Sequence, residues 1–185
     1  DTRLSRGLGD VYKRQGATTG TASFTPTDDS TYEGNETAII SVSTVSGADA
    51  TESGTQSETI TIIADGDAAP TVTLATSATT IAENAGSSLT LTATLSVATI
   101  ADVTVTLATS GTATEGTDYT DGSGNIDDIV ISAGDTTGTV SFTPSDDSTY
   151  EGNETAVIDI DTIAVTGSSA SEDGTQQVTI TITEN

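Results

Sequence analysis

The chain has no cysteine and no histidine, and only four cationic side chains. Without cysteine there is no disulfide framework and no thiolate metal site. Without histidine or cysteine, two of the commonest catalytic bases and nucleophiles are missing. The four cations, Arg3, Arg6, Lys13 and Arg14, all precede residue 16. Within residues 16–185 no internal side-chain salt bridge can therefore form. Nucleic acid and anionic membrane are excluded as expected partners, because both need Lys or Arg to meet phosphate. No apolar run approaches the roughly 18 residues of a membrane-spanning helix, so this segment is not expected to insert in a bilayer. Aromatic residues make up 3% of the chain, too few for the stacked platforms of a carbohydrate-processing cleft.

What is present is acid. All of the 28 Asp and Glu residues except Asp1 and Asp10 lie beyond residue 15, within a net charge of −24. Cations and basic surfaces are the natural partners of such a chain, and unpaired charge at this density repels itself unless water, salt or bound metal offsets it. Acidity alone also fits a saline environment and simple solubility. Residues 1–15, which carry all the cations, differ in composition from the rest. Within them, Asp10 to Gln15 (DVYKRQ) resembles the translated end of a sequencing adapter, so this segment is read as a non-native leader and set aside from fold reasoning.

The remainder repeats. Residues 16–43, GATTGTASFTPTDDSTYEGNETAIISVS, recur as residues 134–161, GDTTGTVSFTPSDDSTYEGNETAVIDID, with Phe24 matching Phe142 at an offset of 118. Further on, Gly54-Thr55-Gln56 matches Gly174-Thr175-Gln176 at an offset of 120. The period is that of a small domain rather than of a solenoid repeat. Residues 16–67 read as the C-terminal half of one unit and 68–185 as a nearly complete second unit, with a linker over 64–70.

Apolar residues alternate with threonine throughout the second unit. Leu89, Leu91, Ala93 and Leu95 form one such series, and Val103, Val105 and Leu107 another. Val140 and Phe142, then Ala156, Ile158 and Ile160, then Val178, Ile180 and Ile182 continue the pattern. Period two places the apolar residues on one face of a strand, and β-branched threonine suits the other. Gly-, Asp- and Ser-rich turns separate the runs, and no helical period stands out. The expected fold is all-β: two antiparallel sheets packed face to face, with about 115 residues sufficient for one core.

Carboxylates concentrate between two of these strands. Asp146, Asp147, Glu151 and Glu154 fall within nine residues, and the earlier copy offers Asp28, Asp29, Glu33 and Glu36. Two like charges about 4 Å apart repel by roughly 4 kcal/mol at an effective dielectric near 20. Four carboxylates held together therefore oppose folding until a cation arrives or some are protonated. Hard cations such as calcium take six to eight oxygen ligands, which a loop of this kind supplies. The bland reading is a solvated turn with its carboxylates splayed.

Taken together, these residues resemble a Calx-β domain, the calcium-binding module of sodium/calcium exchangers and of many extracellular adhesion and repeat proteins. The matches run in order through Pro70-Thr71-Val72-Thr73-Leu74, Ile81 to Gly86 (IAENAG), Leu89 to Leu95, Gly111 to Thr114 (GTAT), Gly116 to Tyr119 (GTDY), the loop Asp146 to Glu154, and Val178 to Glu184. The resemblance implies an immunoglobulin-like antiparallel β-sandwich in tandem repeat, with calcium at one end. Carried over, the metal residues are Glu83, Asp118, Asp146, Asp147, Thr149 through its backbone carbonyl, Glu151, Glu154, Glu184 and Asn185. A partial site in the first unit comprises Asp28, Asp29, Glu33, Glu36, Asp65 and Asp67. Two departures imply fewer or weaker ions: Ser148 stands where a third acid is frequent, and only Glu184-Asn185 follows the last strand.

Three other features are read as minor. Asp121 to Asp127 places oxygen side chains at alternate positions but lacks the glycine and distal glutamate of an EF-hand, so a hairpin turn is expected. Asn35-Glu36-Thr37 and Asn153-Glu154-Thr155 fit a glycosylation acceptor but overlap the acidic loops. Paired carboxylates serve glycosidases, yet no other catalytic feature accompanies them. The sequence is therefore expected to be a non-enzymatic, calcium-binding module of an extracellular or cell-surface adhesion protein, in contact with neighbouring repeats and with protein or glycan targets. A metal-independent acidic spacer and a glycan- or protein-binding module are the alternatives.

Overall fold

A computed structural model describes residues 16–47, 49–63, 68–167 and 169–184. The leader segment and the candidate residues Asp65, Asp67 and Asn185 lie outside the described residues. Every regular element among those described is a β-strand, as the alternation and the β-branched composition dictate.

The chain divides into two compact units. In the first, β1 (Glu36–Ser41) and β2 (Ser57–Ile62) pair antiparallel, Glu36 opposite Ile62. Ala38 and Ile40 are only half-buried there, and Ile39 and Ile63 are 69% and 74% exposed. The second unit is a two-sheet sandwich. Its strands are β3 (Thr71–Thr76), β4 (Thr80–Ala82), β5 (Leu89–Leu95), β6 (Val103–Gly111), β7 (Tyr119–Thr120), β8 (Ile129–Ile131), β9 (Thr137–Pro144), β10 (Glu154–Val165), β11 (Ser171–Glu172) and β12 (Gln177–Thr183). One sheet has the order β4-β12-β10-β6-β8 and the other β11-β3-β5-β9-β7. Pairing is antiparallel except at β4–β12 and β11–β3, which are parallel. This is an immunoglobulin-like β-sandwich.

The core follows the period-two pattern. Leu91, Ala93 and Leu95 face Val103 and Val105, with Phe142, Ala156, Ile158, Ile180 and Ile182 completing the layer, all buried. Each Leu, Val, Ile or Phe side chain among these contributes about 1.5–3 kcal/mol when taken from water. Tyr119 stacks on Phe142 with ring centroids 4.7 Å apart. Pro70, within the stretch read as linker, is buried, and its carbonyl accepts a hydrogen bond from the Ser171 amide at 3.1 Å.

Two elements escaped the alternation rule. Strand β8 is only three residues long, yet Ile129 and Ile131 are fully buried. Strand β10 runs past the apolar series, because its register with β6 shifts between Ile160 and Thr162. The extra residue, Asp161, is exposed, and Ile163 turns back to pack against the core.

Candidate metal centre

Five segments deliver carboxylates to one end of the sandwich. The first follows β6. Gly111 ends that strand at φ +120, where a Cβ would stand 2.1 Å from the Thr155 carbonyl oxygen. Thr112 and Ala113 then donate their amides to that same oxygen at 2.9 and 3.0 Å. The chain turns tightly, Asp118 N–H bonding the Thr114 carbonyl at 2.8 Å while Asp118 Oδ2 accepts the Thr114 amide at 2.6 Å. Tyr119 plunges into the core beside it. The pair thus divides its roles: the tyrosine anchors, and the aspartate is held at the rim.

The second carboxylate, Glu83, follows β4. Its amide bonds the Thr183 carbonyl at 3.0 Å, and its side chain is only 9% exposed. Glu83 Oε1 accepts the Asp147 amide at 3.1 Å, tying the central loop to the first. At the far end of β12, Glu184 Oε2 accepts the amides of Glu151 and Gly152 at 2.9 and 3.0 Å. The Glu184 amide returns a 3.2 Å hydrogen bond to Asn153 Oδ1. Gly152, at φ +78, supplies the left-handed residue this turn requires. Glu154 then opens β10.

Three of these carboxylates converge. One oxygen each from Asp118, Glu151 and Glu154 lie within 4.8 Å of one another. Glu83, Ser145 and Glu184 line the same cleft. Partial desolvation, then the charges of Asp118, Asp147, Glu83 and Glu184, push the Glu151 carboxyl above its ordinary value. Desolvation also raises Glu154, followed by the charges of Asp118 and Glu151, a hydrogen bond with Asp118 and the charge of Glu83. Both shifts mark a place where negative charge is in excess.

The structure thus gathers Glu83, Asp118, Asp147, Glu151, Glu154 and Glu184 at one end. Asp146 is exposed and outside the converging trio. Thr149 is also exposed, and its amide donates to Asp147 Oδ1 at 2.5 Å. In the earlier copy, Asp28 and Asp29 are exposed, Glu33 is half-buried and Glu36 begins β1. Among the described residues no second group of three carboxylates approaches as closely.

Sequence reasoning passed over Glu115, which accepts the Ile126 amide at 2.6 Å and the Thr109 hydroxyl at 2.8 Å. It also passed over Asn153 as a loop tie; the asparagine beside Gly152 was the available signal. The Asp121 to Asp127 segment turns locally, with Asp121 Oδ1 accepting the Ser123 and Gly124 amides at 2.6 and 3.0 Å, but it is not the expected hairpin: it links β7 of one sheet to β8 of the other.

Comparison with known proteins bears on this arrangement. A family model described as the Calx-beta domain matches residues 7–67 and 65–185. No curated protein matches. Among solved structures, the apo form of the Calx CBD1 domain is 18% identical, with a TM-score of 0.47 over 62% of this chain and 98% of that one. The CBD12 structure from CALX1.2 is 17% identical, with a TM-score of 0.48, covering 61% of this chain and 44% of that one.

Proposed function

The chain belongs to the Calx-beta domain family, and on that footing we propose that its second unit is a calcium-binding, non-catalytic β-sandwich repeat of an extracellular or cell-surface adhesion protein. The observation that carries the reading is the convergence of Asp118, Glu151 and Glu154 within 4.8 Å. No Lys, Arg or His exists from residue 16 onward to balance them. The donor set is all oxygen, the chemistry of a hard divalent cation rather than of zinc or copper. Asp118, Glu151 and Glu154 are the ligands, with Glu83, Asp147 and Glu184 adding negative charge at the edge of the cleft. A bound cation supplies the positive charge that offsets their repulsion. Stiffened loops at the end of each repeat then keep an array extended between the cell and its target. Antibody labelling of unpermeabilised source cells checks the location.

One observation favours the metal-independent spacer as second reading: Glu83 and Glu184 already hold the loop through its own amides. A thermal melt of the full chain in calcium, magnesium and chelator separates the two. A ligand that binds only the folded state adds about 2.7 kcal/mol at a hundredfold excess over Kd, a shift of several degrees in Tm. The shift is expected in calcium and lost in the Asp118→Asn/Glu154→Gln double variant. The same Tm in millimolar calcium and in chelator would leave the spacer.

A further inference from the structure

The two copies of the acidic loop share a sequence and a turn but not an environment. Ser30-Thr31-Tyr32-Glu33-Gly34 and Ser148-Thr149-Tyr150-Glu151-Gly152 are identical. Gly34 and Gly152 adopt nearly the same left-handed φ, +74 and +78. Yet Tyr150 is 84% exposed, whereas Tyr32 is half-buried.

The reason is that Ser30–Gly34 belongs to the compact unit formed by the following repeat. The Tyr32 amide donates to the Ala98 carbonyl at 3.0 Å, forming a parallel bridge with Thr99. The Tyr32 hydroxyl lies 3.4 Å from Ser169 Oγ. A Cβ on Gly34 would stand in contact with the Gly167 carbonyl oxygen at 3.9 Å. The receiving residues sit in the β5–β6 and β10–β11 connections. These lie at the opposite end of the sandwich from the acidic cleft, since β10 starts at the cleft and ends at Val165. Thr99 is itself fully buried, with its hydroxyl satisfied by the Ala101 carbonyl, so the receiving edge is a formed part of the core.

We propose that Tyr150 is the docking residue for the next repeat of the array, whose β5–β6 connection receives it as the Ala98–Thr99 edge receives Tyr32. The partner is another copy of this domain. Recognition joins a strand-like backbone bridge to the tyrosine side chain, whose packing holds that bridge in place. The inference rests on the repeat-array reading but not on calcium.

The test extends the full chain with a second copy of residues 66–185 after Asn185, which preserves the repeat spacing. Amide exchange is followed by NMR in chelator throughout, so that a failure of the calcium reading leaves the outcome untouched. In the 185-residue chain the Tyr32 amide is expected to be protected and that of Tyr150 open. In the extended chain the Tyr150 amide slows by about tenfold or more, the worth of one backbone hydrogen bond. An unchanged Tyr150 rate beside a protected Tyr32 overturns the proposal. A second arm needs no extension. Tyr32→Ala in the 185-residue chain is expected to speed exchange of the residue-32 amide, which donates to the Ala98 carbonyl, while Tyr32→Phe, which loses only the hydroxyl contact, leaves most of the protection. Equal protection in wild type and Tyr32→Ala also overturns it.

Discussion

Glu154 shows most directly how one side chain responds to the excess of negative charge. Its carboxyl and that of Glu151 titrate above the ordinary glutamate value of 4.5, desolvation being the first cause and the neighbouring carboxylates the next. A raised pKa means that the folded state holds its protons longer than the unfolded chain does. Stability from these two groups is therefore fully present below about pH 4.5 and is lost as pH rises through their folded values. In chelator, Tm is expected to fall across that window, and Glu154→Gln is expected to flatten the decline. Calcium affinity runs the other way and strengthens as the protons leave. Melts between pH 4 and pH 7, with and without calcium, check both signs. A chelator Tm that rises with pH across the window, or an identical slope in Glu154→Gln, would refute this account. Asp121, held below its ordinary value by the Ser123 amide and hydroxyl, acts in the opposite sense at more acidic pH.

At the scale of the element, the site depends on how strands end. Strand β6 must stop at Gly111 so that the next seven residues can bring Asp118 to the rim. Both the positive φ and the 2.1 Å approach to the Thr155 oxygen forbid a side chain there. Gly111→Ala is expected to destabilise the second unit by on the order of 3 kcal/mol, because it combines backbone strain with displacement of β10. A urea midpoint measures this, and a change no larger than that of a surface substitution would show that the turn relaxes freely. The bulge after Ile160 works at the same scale. It reverses the facing of the last residues of β10, so that Ile163 packs inward although it breaks the period set by Ala156 and Ile158.

For the molecule as a whole, the two units differ in how much they bury. Ala156 and Ile158 of the complete sandwich are fully buried, whereas their counterparts Ala38 and Ile40 in the β1–β2 hairpin are only half-buried. A two-stranded ribbon is marginal in water, because it buries too little to offset the entropy of ordering it. Amides of β1 and β2 are expected to exchange much faster than those of β5 and β9, where Leu91 and Phe142 are fully buried. Native-state exchange checks this, and equal protection in the two units would contradict it.

The sequence by itself determined the strand content, the repeat and the family, because period-two alternation and a duplicated motif are local signals that survive without tertiary context. It also marked Glu83, Asp118, Asp147, Glu151, Glu154 and Glu184 as belonging together, through a resemblance that spans the second unit. Only the tertiary structure divided their roles. Asp118, Glu151 and Glu154 converge, Glu83 and Glu184 tie the central loop through its amides, and Asp146 is exposed and outside the trio. Such distinctions depend on where each strand stops and which amides are left unpaired there, and those are fixed by packing between segments far apart in the chain. The different surroundings of Tyr32 and Tyr150 make the same point: identical local sequence, separated only by what lies next to it in space.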